Sequence, residues 1–171
     1  MSRNATTDDK PSLAVDRPRI EQSGPLRLAG LRGEFTSETR HEVPQLWQRF
    51  TPHVGSTPGQ VGDVAYGVCF CGPGYQAFGY LAGVELAAEA LLPSAWSEAS
   101  FQAARYAVFT HGGHVSTLCE TLDAIHRWLP GSGLQLARVA PGRAAFFERY
   151  GEAFCPETGV GGTEVWFPLA G

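Results

Sequence analysis

The sequence predicts an α+β fold made of two similar halves, each of which reads strand, helix, strand, strand. Apolar residues recur at helical spacing in only two short segments. The other apolar segments are short runs bounded by Gly- and Pro-rich stretches, which is typical of strands. We expect these duplicated units to form one antiparallel sheet, with two helices on one side and a cleft between them.

The composition indicates one folded domain of ordinary character. The chain has 171 residues, of which 43% are hydrophobic and 18% charged, enough for a sizeable core. Its net charge of −4 argues against nucleic acid as a direct partner, because phosphate binding needs a basic face. We expect a disordered polar tail over residues 1–17 and a domain over 18–171, with halves of about 18–92 and 93–171.

The first half is predicted to contain a strand over 26–35, a helix over 43–50 and strands over 64–70 and 76–85. Pro44 suits the first turn of this helix, and Leu46, Trp47 and Phe50 form its apolar stripe. Residues 64–84 carry no charge and are long enough to cross a membrane. Their glycines and the Cys71-Gly72-Pro73-Gly74 turn signal favour a buried hairpin instead, so no membrane segment is expected.

The second half is predicted to contain a strand over 105–111, a helix over 115–129 and strands over 144–150 and 163–169. The helix is indicated by apolar residues at helical spacing, and Pro130-Gly131 ends it. Its apolar positions are Leu118, Leu122, Ile125 and Leu129. The connection over 91–100 joins the halves and does not resemble a flexible linker.

A carboxylate between aromatic rings is the most informative local feature. On a strand, Phe146, Glu148 and Tyr150 share one face because side chains alternate. An ionised carboxylate on an apolar surface is costly unless it is paired, so the partner could be a cationic ligand or a substrate that needs a proton. The alternative is an edge-strand Glu that reaches water.

Aromatic residues on the other strands suggest a ligand cleft around this carboxylate. Tyr66 and Phe70, Phe78 and Tyr80, and Trp166 occupy strand positions, and they could simply form the core. Two short helices cannot cover a wide aromatic face, however, and an uncovered apolar cleft is the usual ligand site. Rings around a carboxylate suit a flat organic cation, and burial should raise the pKa of Glu148.

The cysteines and histidines do not form a recognisable metal motif. Cys69 and Cys71 lie too close along one strand to pair with each other, and His111 and His114 have no acidic or Cys ligand nearby in sequence. No secretory signal is readable at the N-terminus. We therefore expect structural thiols, no metal, no cofactor and a cytoplasmic location.

Six stretches in order resemble the gyrase-inhibitor-like (GyrI-like) effector-binding superfamily, which includes the ligand domains of multidrug-sensing regulators. They are residues 43–50, 66–68, 79–85, 106–113, 147–150 and 164–168, so the resemblance runs from about residue 26 to the C-terminus. It implies the duplicated fold around a shared cleft and an acidic pocket residue at Glu148. It also implies an aromatic wall formed by Trp47, Tyr66, Tyr80, Phe146 and Trp166.

Three functions are compatible with this resemblance. The leading hypothesis is stand-alone binding of aromatic xenobiotics, cationic ones among them, for protection against toxic compounds. The alternative is a hydrolase that opens a strained cyclopropane ring of DNA-alkylating natural products, with Glu148 and Tyr80 as the catalytic residues. The third, from the resemblance alone, is an interaction with DNA gyrase. Regulators of the family carry a DNA-binding domain ahead of this one; only a short tail precedes it here, so direct nucleic-acid binding is not expected.

Overall fold

The computed structural model describes residues 15–71 and 77–171, and within them it contains eight strands and two α-helices. The strands are Arg19–Ser23 (β1), Leu26–Thr36 (β2), Gln60–Cys71 (β3), Ala77–Leu86 (β4), Ser97–Phe101 (β5), Ala104–His111 (β6), Ala144–Tyr150 (β7) and Thr163–Pro168 (β8). The helices are Val43–Phe50 (α1) and Leu118–Trp128 (α2). The predicted α+β class is confirmed.

All eight strands join one antiparallel sheet in the order β1-β6-β8-β7-β3-β4-β2-β5. The sheet curls strongly. Phe101 on the edge strand β5 has its ring centroid 5.0 Å from that of Phe147 on β7, although three strands separate β5 from β7. The sheet therefore has a concave face, which closes on itself, and a convex face.

The two shortest strands, β1 and β5, connect the halves, and neither is predicted from the sequence. β1 pairs with β6 of the second half, and β5 pairs with β2 of the first half. All of β5 except Phe101 lies within residues 91–100, which the sequence predicts to be a connection. Both strands lie at the edges of the sheet, where they interlock the halves. The predicted turn over 72–74 and residues 1–14 of the predicted tail lie outside the described residues.

The helices pack on the convex face, each against its own half. Leu46 and Phe50 of α1 pack over β2 and β4, together with Val84. Leu118 and Ile125 of α2 pack over β6 and β8. Each helix is short, so its apolar stripe covers only two strands, and the central strands β7 and β3 are left between the two helices.

The concave face has an aromatic core of its own that needs no helix. Because the sheet curls, its strands cover one another, and this core draws on β2 to β8. Its larger aromatic members are Tyr66, Phe70, Phe101, Tyr106, Phe147 and Trp166. No helix in the described part of the chain has the length and apolar character needed to cross a membrane.

Candidate functional site

A cavity of about 1530 Å³ lies on the convex face between the two helices. Its floor is formed by the uncovered parts of β3, β4 and β7, and its two sides by α1 and α2. The predicted cleft between the helices is therefore present in the structure. Its aromatic lining comes mainly from Trp47, Phe78, Tyr80, Phe146, Tyr150 and Phe154, and the carboxylate of Glu148 lies among these rings.

Glu148 lies in the floor of this cavity and is only 4% exposed. Tyr80 Oη donates a hydrogen bond of 2.6 Å to Glu148 Oε2, and Tyr150 Oη donates another of 2.8 Å to the same oxygen. Hydrogen bonds to an ionised acceptor are stronger than neutral ones, so the two phenols hold the carboxylate in one orientation.

The second oxygen of this carboxylate, Oε1, accepts no hydrogen bond from the described residues. Glu148 itself lines the cavity. A buried carboxylate oxygen without a partner is costly, which makes it a place where a ligand can supply a charge or a proton.

Trp47 links helix α1 to this network. Its Nε1 donates to Tyr80 Oη at 3.0 Å, and its ring packs edge-on against Tyr150 with centroids 5.2 Å apart. Tyr80 therefore accepts from Trp47 while it donates to Glu148. A shift of α1 would be transmitted directly to the carboxylate.

The protonation behaviour of the site follows from burial. Desolvation raises the pKa of Glu148, and the hydrogen bonds from Tyr80 and Tyr150 oppose this by favouring the ionised form. Burial and the nearby Glu148 charge raise the pKa values of both phenols well above the ordinary tyrosine range. The two tyrosines therefore stay protonated and remain hydrogen-bond donors.

A glycine makes room for this arrangement. Gly67 lies directly across from Glu148 in the β3–β7 pairing. A Cβ at Gly67 would lie 2.5 Å from Glu148 Oε2 and would also clash with the hydroxyl of Tyr80. Only glycine allows the phenol and the carboxylate to meet above this strand.

The predicted site residues fall on two faces of the sheet. Glu148, Trp47, Tyr80 and Phe146 line the cavity. Phe70 borders it beside a bulge in β3, but its ring belongs to the concave core, where Arg32 lies 3.9 Å from the ring centroid.

Tyr66 and Trp166 lie on the opposite face of the sheet, in the concave core, and do not line the cavity. Their predicted place in the ligand wall is corrected accordingly. The reason is the register of the strands. Tyr80 pairs with Cys69, so the odd-numbered residues of this part of β3 share its face and Tyr66 lies on the other one. Trp166 pairs with Phe147, so it lies on the face opposite to that of Glu148. A strand's own alternation does not reveal which of its faces carries the ligand.

Several lining residues were not proposed from the sequence. Tyr150 is the most important of them, although its shared parity with Glu148 was visible in the sequence. Cys69 on β3 and Cys119 on α2 also line the cavity, and all four cysteines are free. Among the described residues, no three His, Cys, Asp or Glu side chains come together as a potential metal site.

Comparisons with known proteins identify relatives of this chain. Transcriptional regulator BrlR of Pseudomonas aeruginosa is 31% identical over 137 residues, which are 80% of this chain and 48% of BrlR. The chain thus spans about half the length of that curated relative.

Solved structures with low sequence identity share the fold. The structure of SAV2435 bound to tetraphenylphosphonium matches with a TM-score of 0.71 at 18% identity, covering 91% of this chain and 95% of that one. A putative transcription regulation protein from Staphylococcus aureus MU50 matches with a TM-score of 0.64 at 17% identity, covering 92% and 100%. The C-terminal domain of EcmrR matches with a TM-score of 0.58 at 10% identity, covering 90% and 97%.

The family model described as the GyrI-like small molecule binding domain matches residues 16–170, nearly the whole chain. Together with the curled sheet, the two convex-face helices and the cavity between them, this match shows that the protein belongs to the GyrI-like small-molecule binding domain family.

Proposed function

We propose that the protein binds aromatic organic cations in the cavity between its helices, with Glu148 as the counter-charge. The observation that carries this proposal is a buried carboxylate in the lining of an aromatic-walled cavity, with one oxygen that has no hydrogen-bond partner among the described residues. The biological role we assign to this binding is protection, by sequestering toxic aromatic compounds.

The physical chemistry of the cavity favours a cation over a neutral or anionic ligand. Ring faces such as that of Trp47 attract positive charge, and Glu148 adds a full charge in a poorly solvated place where attraction is strong. The related fold of SAV2435 was solved with tetraphenylphosphonium, an aromatic cation, bound to it.

A titration with a charged and an uncharged ligand tests this proposal. Tetraphenylphosphonium and neutral triphenylphosphine oxide are titrated by calorimetry into the wild type, Glu148→Gln and the surface control Glu89→Gln. We expect Glu148→Gln to lose at least about tenfold in affinity for the cation, or about 1.4 kcal/mol, and much less for the neutral ligand. Equal cation affinity in the wild type and Glu148→Gln would remove the charge role.

A second candidate is hydrolysis of a strained ring, which is favoured by the raised pKa of Glu148 together with its place in the lining of the cavity. As a cyclopropane C–C bond breaks, Glu148 would donate a proton to the side of the substrate that takes the electron pair of that bond. The oxygen of a water molecule would form the new C–O bond to the other carbon, and the proton that this water loses would return to the Glu148 carboxylate. Tyr80 would hold the carboxyl in position. Incubation with a cyclopropane-bearing alkylator should then give the product of water addition; no turnover above buffer, or full turnover by Glu148→Gln, would exclude this role for that substrate.

The absence of direct nucleic-acid binding stays a prediction, since one relative is a transcriptional regulator. A gel-shift assay with the chain and mixed-sequence DNA checks it. Retarded DNA at physiological salt would contradict it.

A further inference from the structure

The cavity is strongly acidic beyond Glu148. Its described lining includes five carboxylates but a single arginine, Arg40, with the histidines His41 and His126. The carboxylates are Asp63, Glu120, Asp123, Glu148 and Glu152. A cleft lined by one sign of charge concentrates the electrostatic field and attracts ions of the opposite sign.

These carboxylates are not used in ion pairs among the described residues. The ion pairs there involve Arg19, Arg27, Arg32 and Arg149, and their acidic partners all lie outside the cavity: Glu21, Glu34, Glu98 and Glu164. In the described part of the chain, the acidic lining is therefore not neutralised by ion pairs. Independently of this acidic lining, buried Glu148 has one oxygen without a hydrogen-bond partner in the described part of the chain, which favours a ligand that completes this site.

The first two turns of α2 bring two more carboxylates, Glu120 and Asp123, into the lining of the same cavity. Both are exposed and lie on the α2 side, whereas Glu148 is buried in the floor, and we call Glu120 and Asp123 the rim carboxylates. Cys119, next to Glu120 in sequence, also lines the cavity. Burial raises the pKa of its thiol, Arg40 opposes this shift, and the charges of Glu148 and Asp123 add to it.

The cavity also has more room than one aromatic cation needs. Its volume of about 1530 Å³ exceeds that of typical small-molecule pockets, which is roughly 300–1,000 Å³. A ligand that filled only the surroundings of Glu148 would leave the α2 rim to water.

We propose that the cavity takes elongated aromatic dications, with one cationic ring at Glu148 and the other at the rim carboxylates Glu120 and Asp123. This inference rests on the proposed function, because it assigns a second charge subsite to the same cavity. The rim carboxylates are exposed and partly screened, so they contribute less than the buried one.

A series of bisquinolinium compounds tests this proposal. Two quinolinium rings joined by polymethylene chains of increasing length are compared with a control in which the second ring is a neutral naphthalene on the same chain. We expect the best linker to bind at least about tenfold more tightly than its control, or about 1.4 kcal/mol. This advantage should shrink when salt is raised, because salt screens the rim charges.

Variants locate the second charge subsite. The double variant Glu120→Gln/Asp123→Asn should reduce the affinity ratio of dication to control by about fivefold or more. The matched control Glu89→Gln/Asp16→Asn removes the same charge at exposed positions outside the cavity, neither of which forms an ion pair among the described residues, and should leave the ratio unchanged. An equal loss in both double variants would mean that only net charge matters, which would overturn the proposal.

The two proposals fail in different ways. If no linker exceeds the roughly twofold advantage that two identical ends give by chance, the dication proposal is wrong while single-cation binding stands. If tetraphenylphosphonium and every quinolinium bind the wild type and Glu148→Gln equally, the proposed function itself is wrong.

Discussion

The substitution Gly67→Ala tests whether the hydrogen-bonded pair of Tyr80 and Glu148 depends on an empty position in β3. The new Cβ would lie 2.5 Å from Glu148 Oε2 and 2.8 Å from Tyr80 Cζ. Since carbon atoms pack at about 3.5–4.0 Å, the phenol and the carboxylate must move by about 1 Å.

The cost of this movement can be worked out from its parts. Losing a hydrogen bond to a charged group costs about 1.5–3 kcal/mol and overpacking about 1–3 kcal/mol. Replacing glycine in a strand returns only about 0.5–1 kcal/mol. We therefore expect Gly67→Ala to lower the free energy of unfolding by about 2–5 kcal/mol and to weaken tetraphenylphosphonium binding.

Urea unfolding and calorimetric titration at the same pH measure both effects. Gly24→Ala is the matched control, because a Cβ there meets no atom within 4 Å. The double variant Gly67→Ala/Tyr80→Phe removes the hydroxyl that is struck first and should recover part of the lost stability. Wild-type stability and affinity in Gly67→Ala, or strictly additive losses in the double variant, would refute this reasoning.

Three further predictions concern buried polar groups. Burial raises the pKa of Glu148 in the folded state above its ordinary value of 4.5. The contribution of Glu148 to the free energy of unfolding is therefore fully present below pH 4.5 and is lost as the pH rises through its pKa in the folded state. The melting temperature of Glu148→Gln should therefore increase relative to that of the wild type as the pH is raised. A difference in melting temperature that does not change with pH would contradict this. Tyr150→Phe removes a 2.8 Å hydrogen bond that favours the ionised form of Glu148, so the pKa of Glu148 should rise further. Cation affinity should then begin to decline at a higher pH than in the wild type, which calorimetric titrations at several pH values measure. Tyr106→Phe should stabilise the protein by about 1 kcal/mol in urea unfolding, because that buried hydroxyl lacks a hydrogen-bond partner among the described residues; a clear loss of stability would reveal a partner such as a buried water.

Local pattern was sufficient to predict most of the elements. The stripe of α1 and the strand around Glu148 have the predicted bounds, 43–50 and 144–150, because each depends on alternation or helical spacing within one segment. α2 is shorter than predicted, since 3₁₀ turns occupy residues 115–117 and 129–131. β1 and β5 are five residues each and weakly patterned, and they exist because a partner strand from the other half lies beside them.

The sequence of a single strand does not show which of its aromatic residues line the cleft, because this depends on the pairing register with the neighbouring strands. Tyr66 and Tyr80 both fit an alternating strand, yet the β3–β4 register places Cys69 opposite Tyr80 and sends Tyr66 to the other face. A shift of one residue in that pairing would exchange the two sets. Composition and alternation could predict that the sheet is aromatic on both sides, but not which side is the ligand wall.

The cavity exists because the two faces of the sheet are closed by different means. The concave face closes through curvature, with Phe101 brought onto Phe147, and so leaves both helices for the convex face. There each helix packs over the outer strands of its own half, and the central strands carry Gly67, Cys69 and Glu148 in the space between them. A longer apolar helix would bury this floor and stabilise the fold, at the loss of the cavity. The short helices thus leave the central strands, with the carboxylate of Glu148, uncovered. The convex face loses the stabilisation that apolar packing would provide there, and it gains a ligand cavity.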